Sequence, residues 1–101
     1  MLVVTRYRVG PAEVPEFESQ ARAALEVLSV RVGFLDGQIG QCVDDPELWT
    51  LTTRWRDIGS YRRALSGYEV KVTAVPLLSR AIDEPSAYQV AFALPASDSL
   101  T

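Results

Sequence analysis

The segment LWTLTTRWRDIGSYRRAL, residues 48–65, concentrates the side chains of this sequence that can do chemistry. Trp55 offers a broad π-face for a planar ligand and an indole N–H to donate. Tyr61, on the helix start that follows, offers a phenol whose ordinary pKa near roughly 10 keeps it protonated at neutral pH, ready to give a proton to a peroxide or phenolate oxygen. Trp49 shares the Trp55 side of the alternation. Each residue has a plainer reading. The tryptophans are equally core-packing residues, and the Tyr61 hydroxyl can be a buried group bonded to a backbone carbonyl. Tyr7 and Tyr88 fall on segments expected to neighbour each other, where they either line one cavity or pack as a cross-strand pair.

The rest of the chemistry is mostly exclusion. The chain has 101 residues, a formal net charge of −3, one cysteine and no histidine. Without histidine there is no Ser-His-Asp triad, no Cys-His dyad, no His-based zinc or iron site and no His ligand to haem. Cys42 alone cannot build a zinc site or an internal disulfide, which fits a reducing compartment. It reads as a half-buried strand residue rather than a nucleophile. The acidic turn of Asp44, Asp45 and Glu47 is too short a ligand series for an EF-hand. An acidic chain has little attraction for phosphate backbones, so no nucleic-acid partner is expected. The start, MLVVTRYRV, lacks the features of a signal peptide, and no apolar run can span a bilayer. A soluble cytoplasmic protein without cofactor or metal is expected.

The positioning elements follow from periodicity. Residues 2–9 alternate as a strand, with Val3, Thr5, Tyr7 and Val9 on one face and Leu2, Val4, Arg6 and Arg8 on the other. Residues 13–31 predict a helix: Pro15 suits the first turn, and Val14, Phe17, Ala21, Ala24, Leu25 and Leu28 form one apolar stripe. Residues 34–43 and 48–56 predict a hairpin across the Asp44–Glu47 turn, with Trp49, Leu51, Thr53 and Trp55 on one face. Asp57 caps a helix running to about residue 66. Residues 68–85, YEVKVTAVPLLSRAIDEP, are read as mainly helical, with Pro76 in a first turn, although Val70, Val72 and Ala74 alternate as a strand would. Residues 86–94 predict the last strand.

The order β-α-β-β-α-β is the ferredoxin-like, split βαβ arrangement of an α+β protein, a four-stranded antiparallel sheet with helices on one face. One domain over residues 1–94 and a flexible tail over residues 95–101 are expected. The other sheet face mixes Leu2, Val4 and Leu48 with Arg6, Arg8, Arg54 and Arg56. Such a face suggests a homodimer packed sheet against sheet, its arginines in a salt-bridge network, at a solvated edge or at an anion site.

With that order, and with RWRDIGSYRRAL and VKVTAVPLLSRAIDEPSAY, the chain resembles the antibiotic biosynthesis monooxygenase family of dimeric α+β barrels over about residues 2–94. The spacing of Trp55 and Tyr61 is similar to the family's passage from third strand to helix. The resemblance implies a homodimer and oxidation of an electron-rich phenol, anthrone or polyketide-like compound by dioxygen, without metal or flavin. Trp55 and Tyr61 would be catalytic, and Tyr7, Trp49, Leu51 and Tyr88 would line the site for a small apolar or aromatic ligand. Characterised members place an asparagine four residues before the tryptophan, where this chain has Leu51. A non-catalytic ligand-binding or accessory dimer, or a polyketide cyclase, is the alternative on the same fold.

Overall fold

The computed structural model describes residues 1–96; the last five residues of the expected tail over 95–101 lie outside the described residues. Strand β1 spans Leu2–Arg8, helix α1 Val14–Ser29, β2 Phe34–Gln41 and β3 Leu48–Trp55. Short helices α2 (Ile58–Leu65), α3 (Tyr68–Thr73) and α4 (Val75–Leu78) precede β4, which is only Ala87–Tyr88. The sheet is antiparallel and open, in the order β2-β3-β1-β4. This is the ferredoxin-like α+β architecture expected from the sequence.

Alternation decides the faces. Val3, Thr5 and Tyr7 of β1 are buried, as are Trp49, Leu51, Thr53 and Trp55 of β3, while the residues between them are half-buried or exposed. The buried stripe of α1, Phe17, Ala21, Ala24 and Leu28, covers this inner face. A 3-10 turn over Pro11–Glu13 leads into that helix, so it begins and ends within the range expected for it. At Gly37 of β2 helix and sheet come close: a Cβ there would lie 2.4 Å from Leu25 Cδ1. Gly33, between α1 and β2, takes φ +92°, and a Cβ there would strike Ser60 of α2. Gly33 therefore needs glycine, while a side chain at position 37 would have to displace the end of Leu25.

The outer face resolves the question of its arginines. Arg6 pairs with Glu84, Arg8 with Asp45, Arg54 with Asp36 and Arg56 with Asp57. Each cation is answered within its own chain, so the face carries no surplus charge that an anion or a partner must neutralise.

The last strand is a correction. The alternation predicts pairing over residues 86–94, but β4 stops at Tyr88, which sits opposite Leu2. Leu2 is the first residue of β1, so the chain beyond Tyr88 has run past the end of its neighbour. Residues 89–96 are all exposed.

Candidate functional site

The inner face of β3 carries two aromatic trios, one around each tryptophan. At one end Phe17 of α1 packs 5.1 Å from the Tyr7 ring and edge-on, at 5.6 Å, to Trp49. At the other end Phe34 stands edge-on to Trp55 at 5.3 Å, and Tyr61 of α2 tilts against the same indole at 5.5 Å. The cross-strand pairs Tyr7↔Trp49 and Thr5↔Leu51 fix the first trio, and Phe34↔Trp55 helps fix the second. The cap of α2 sets Tyr61: Asp57 accepts from Ser60 N–H at 2.7 Å, and its carboxyl is held at about 2 by the Ser60 backbone and hydroxyl donors, with Arg56 adding to them.

Polar satisfaction differs within the trios. Trp55 has no exposed surface, and its Nε1–H donates to Thr53 Oγ1 at 2.9 Å. Trp49 is nearly as buried, yet its Nε1 has no hydrogen-bond partner among the described residues. The Tyr7 hydroxyl donates to Thr5 Oγ1 at 3.0 Å, and Thr5 Oγ1 donates onward to the Leu51 carbonyl at 3.2 Å. The Tyr61 ring is half-buried, and its hydroxyl makes no hydrogen bond with the other described residues. Burial raises the pKa of both phenols. For Tyr7 the Thr5 bond and the positive Arg80 oppose that rise, whereas for Tyr61 the nearby Tyr7 phenol adds to it. Tyr61 is thus a protonated phenol at neutral pH with its proton uncommitted.

A cavity of about 280 Å³ opens between the β4 side of β1 and the chain from α4 to β4, lined among others by Thr5, Leu78, Ala81, Ile82 and Glu84. The chain here is tied to β1 by Ile82 N–H to Arg6 O, Val4 N–H to Ser86 O and the two-pronged Arg6–Glu84 pair. Thr5 links this cavity to Tyr7. None of the six residues singled out in the sequence lines it.

The structure brings Trp55 and Tyr61 into contact, and gathers Tyr7, Trp49 and Leu51 on the same inner face. It does not bring Tyr88 to them. Tyr88 sits opposite the outward-facing Leu2, is about half exposed, and donates its hydroxyl to the Pro85 carbonyl. Sharing a cavity with Tyr7 is therefore ruled out by register: Ala87, not Tyr88, stands opposite the inward Val3. Thr5 and Thr53, which hold the polar ends of two of the aromatics, were missed as site residues. Their signal was present, as the two threonines on faces otherwise apolar. Among the described residues no three of His, Cys, Asp and Glu gather where they could hold a metal ion.

Fold and site define a small α+β protein with an aromatic-lined interior beneath its helices. A family model, antibiotic biosynthesis monooxygenase, matches residues 1–74, and the chain belongs to that family. Among proteins of curated function none matches the sequence. Among solved structures, a conserved protein from Methanosarcina mazei Go1 is 28% identical, with 85% of this chain and 84% of that chain covered and a TM-score of 0.69. SnoaB from Streptomyces nogalater, a cofactor-independent oxygenase solved as a point mutant, is 22% identical, with 94% and 96% covered and a TM-score of 0.74. Rv0793 from Mycobacterium tuberculosis is 13% identical, with 96% and 97% covered and a TM-score of 0.68. The family supports a general monooxygenase-like function.

Proposed function

We propose that this protein is a homodimeric, cytoplasmic, cofactor-independent monooxygenase that oxidises a hydroxylated aromatic or polyketide-like compound with dioxygen. The observation that carries the reading is Tyr61, a protonated phenol with an uncommitted hydroxyl, held against the fully buried Trp55. Family membership and the fold shared with SnoaB support it. The substrate supplies the electrons. An anthrone-like CH₂ loses a proton to water, leaving a carbanion, which passes one electron to dioxygen; the resulting radical pair joins as a peroxide. Protonation gives the hydroperoxide, and loss of water leaves the carbonyl, so one oxygen atom enters the product and the other leaves as water. The enzyme orients the ring and moves protons. Tyr61 gives its proton to the peroxide. Trp55, which has no free face in the single chain, backs the Tyr61 ring and fixes where its hydroxyl points. Tyr7, Trp49 and Leu51 are buried on the same inner face.

The test is oxygen uptake with a panel of anthrones and dihydroxyaromatics, without added flavin, metal or NADPH. Wild type should consume oxygen, and Tyr61→Phe should lose about 10²–10⁴-fold in rate, the contribution of one positioned proton donor. Equal rates for the two proteins would make Tyr61 a packing residue.

A second reading is a non-catalytic ligand-binding dimer. Leu51 favours it: this buried inner-face position carries no group that could bond a substrate carbonyl. Ligand binding without oxygen uptake across the panel would select it.

A further inference from the structure

Arg6, Arg8, Arg54 and Arg56 each meet a carboxylate at 3.2 Å or less, whereas Arg31 and Arg63 flank a hollow whose lining includes no carboxylate. We propose that this hollow binds a small molecule with an oxyanion at each end, a short-chain dicarboxylate or a diphosphate. No member of either aromatic trio lines it, so the site goes beyond the oxygenase reading and is tested separately from it.

The hollow, of about 250 Å³, opens between α2 and the link from α1 to β2. Arg31 and Val32 line it from the link, and Ser60, Arg63 and Ala64 from α2. Ser60 and Ala64 are buried and form its floor; the two exposed arginines form its rim. Glycines seat the two guanidinium heads. A Cβ on Gly67 would lie 3.0 Å from Arg31 Cζ, and one on Gly59 would lie 3.0 Å from Arg63 Nη1. Gly59 belongs to the first turn of α2, and Gly67 follows its last. The heads therefore stand toward opposite ends of an eight-residue helix, which is about 12 Å long.

Structural roles do not use up these cations. Arg63 is 4.0 Å from Asp57, a contact more than half exposed on both sides, which contributes little. Asp57 is already engaged by the Ser60 N–H, the Ser60 hydroxyl and Arg56. Arg63 also reaches Ser60 Oγ, but only at 3.5 Å. Arg31 lies beside the last turn of α2, where the helix dipole favours a cation, and makes no hydrogen bond or ion pair with the other described residues. A guanidinium presents its N–H donors in a rigid fork that matches the edge of a carboxylate or phosphate. A single oxyanion meets one fork. Two oxyanions joined by a few bonds meet both: each fork makes N–H···O contacts of about 2.8 Å, and the linker fills the middle of the roughly 12 Å between the helix ends. A volume below the roughly 300–1,000 Å³ of drug-sized sites keeps the ligand small. The chain as a whole carries a net charge of −3, so a dianion is drawn to this hollow rather than to the surface at large.

The probes are succinate and inorganic diphosphate, each set against a single-ended counterpart, acetate and inorganic phosphate. Calorimetry in low-salt buffer gives the affinities, because salt screens exposed charges, and amide chemical shifts locate the site. At least one two-ended probe should bind the wild type about tenfold or more tighter than its counterpart, and should shift amides of residues 31–33 and 60–67. Arg31→Gln and Arg63→Gln should each weaken that probe roughly tenfold or more, the loss of one charged hydrogen-bonding group. Arg62→Gln removes the same charge from the same helix but outside the hollow, and should leave the affinity unchanged. Absence of binding, equal affinity for single-ended and two-ended probes, shifts centred elsewhere, or equal weakening by Arg62→Gln overturns the site. Weakening by one of the two hollow substitutions and not the other overturns a ligand held at both ends. Circular dichroism checks each fold. If Arg63→Gln does not fold, Arg63→Lys, which keeps the charge and loses the fork, is judged by the same measurements.

Discussion

The two aromatic trios on the inner face are built alike and satisfied oppositely. Each joins one β3 tryptophan, one phenylalanine and one tyrosine: Trp55 stands between Phe34 and Tyr61, and Phe17 stands between Tyr7 and Trp49. In the Trp49 trio the phenol is bonded, through Thr5, and the indole N–H has no partner among the described residues. In the Trp55 trio the indole is bonded, through Thr53, and the phenol makes no hydrogen bond among the described residues. The free group differs in what it can do. A buried indole N–H gives up its proton to nothing at ordinary pH, whereas a free phenol is an acid. The same packing motif therefore yields a structural end and an end with chemical capacity, and the difference is which threonine faces which ring.

The largest effect that would test this division is removal of the ring at its centre. Trp55 is wholly enclosed, so Trp55→Ala should cost about 3–5 kcal/mol in denaturant unfolding, as transfer and cavity costs add. A loss well under about 2 kcal/mol would mean that the trio is not core in solution and that Trp55 has a face free for ligand.

Next comes the hydrogen bond that distinguishes the tryptophans. Thr53→Val keeps shape but orphans the Trp55 indole, leaving it in the state Trp49 already occupies. The expected cost is about 1–3 kcal/mol, the desolvation penalty of a buried unpaired donor. Thr5→Val is the matched change at the other trio, where the Tyr7 phenol loses its acceptor. If both are silent, the threonines are bystanders and the comparison fails.

Smaller again is the contrast between the phenols. Tyr7→Phe removes a made hydrogen bond and should cost about 1 kcal/mol. Tyr61→Phe removes none to a described residue and should leave stability nearly unchanged while it lowers oxygen uptake. Equal destabilisation by the two would show that the Tyr61 hydroxyl has a partner in solution.

Much of this was legible before the structure because period and burial agree. The two-residue alternation placed Tyr7, Trp49, Leu51 and Trp55 on one face, and the stripe from Phe17 to Leu28 supplied the cover. Where the reading failed, the missing information was non-local. Tyr88 alternates correctly with its neighbours, but its face is set by register against Leu2, which periodicity does not encode. The strand pattern over residues 86–94 is real as a pattern; what stops the strand is the end of β1. The pairing of Thr5 with Tyr7 and of Thr53 with Trp55 joins residues two apart on one strand face. It could have been read from spacing alone, had polar positions on an apolar face been weighed as partners for aromatics.

The smallest expected effect separates the trios by pH. Tyr61 rides on α2, and the start of α2 is held by the Asp57 carboxylate, while the Trp49 trio hangs on β1, β3 and the longer α1. The Asp57 carboxyl is held at about 2, below its ordinary 3.8, so folding favours its charged form. The stability it contributes is therefore fully present above pH 3.8 and is lost as pH falls through about 2. Asp36, Asp45 and Glu84 are also lowered by their arginine partners and will loosen the outer face in acid. Asp57→Asn separates the cap from that background, because asparagine caps a helix without titrating. Between pH 4 and 2 the wild type should lose more stability than Asp57→Asn, and the fluorescence of Trp55, read in a Trp49→Phe background, should change over that window. Identical acid profiles for the two proteins would show that the α2 cap does not hold the Trp55 trio, and that Tyr61 owes its position to ring packing alone.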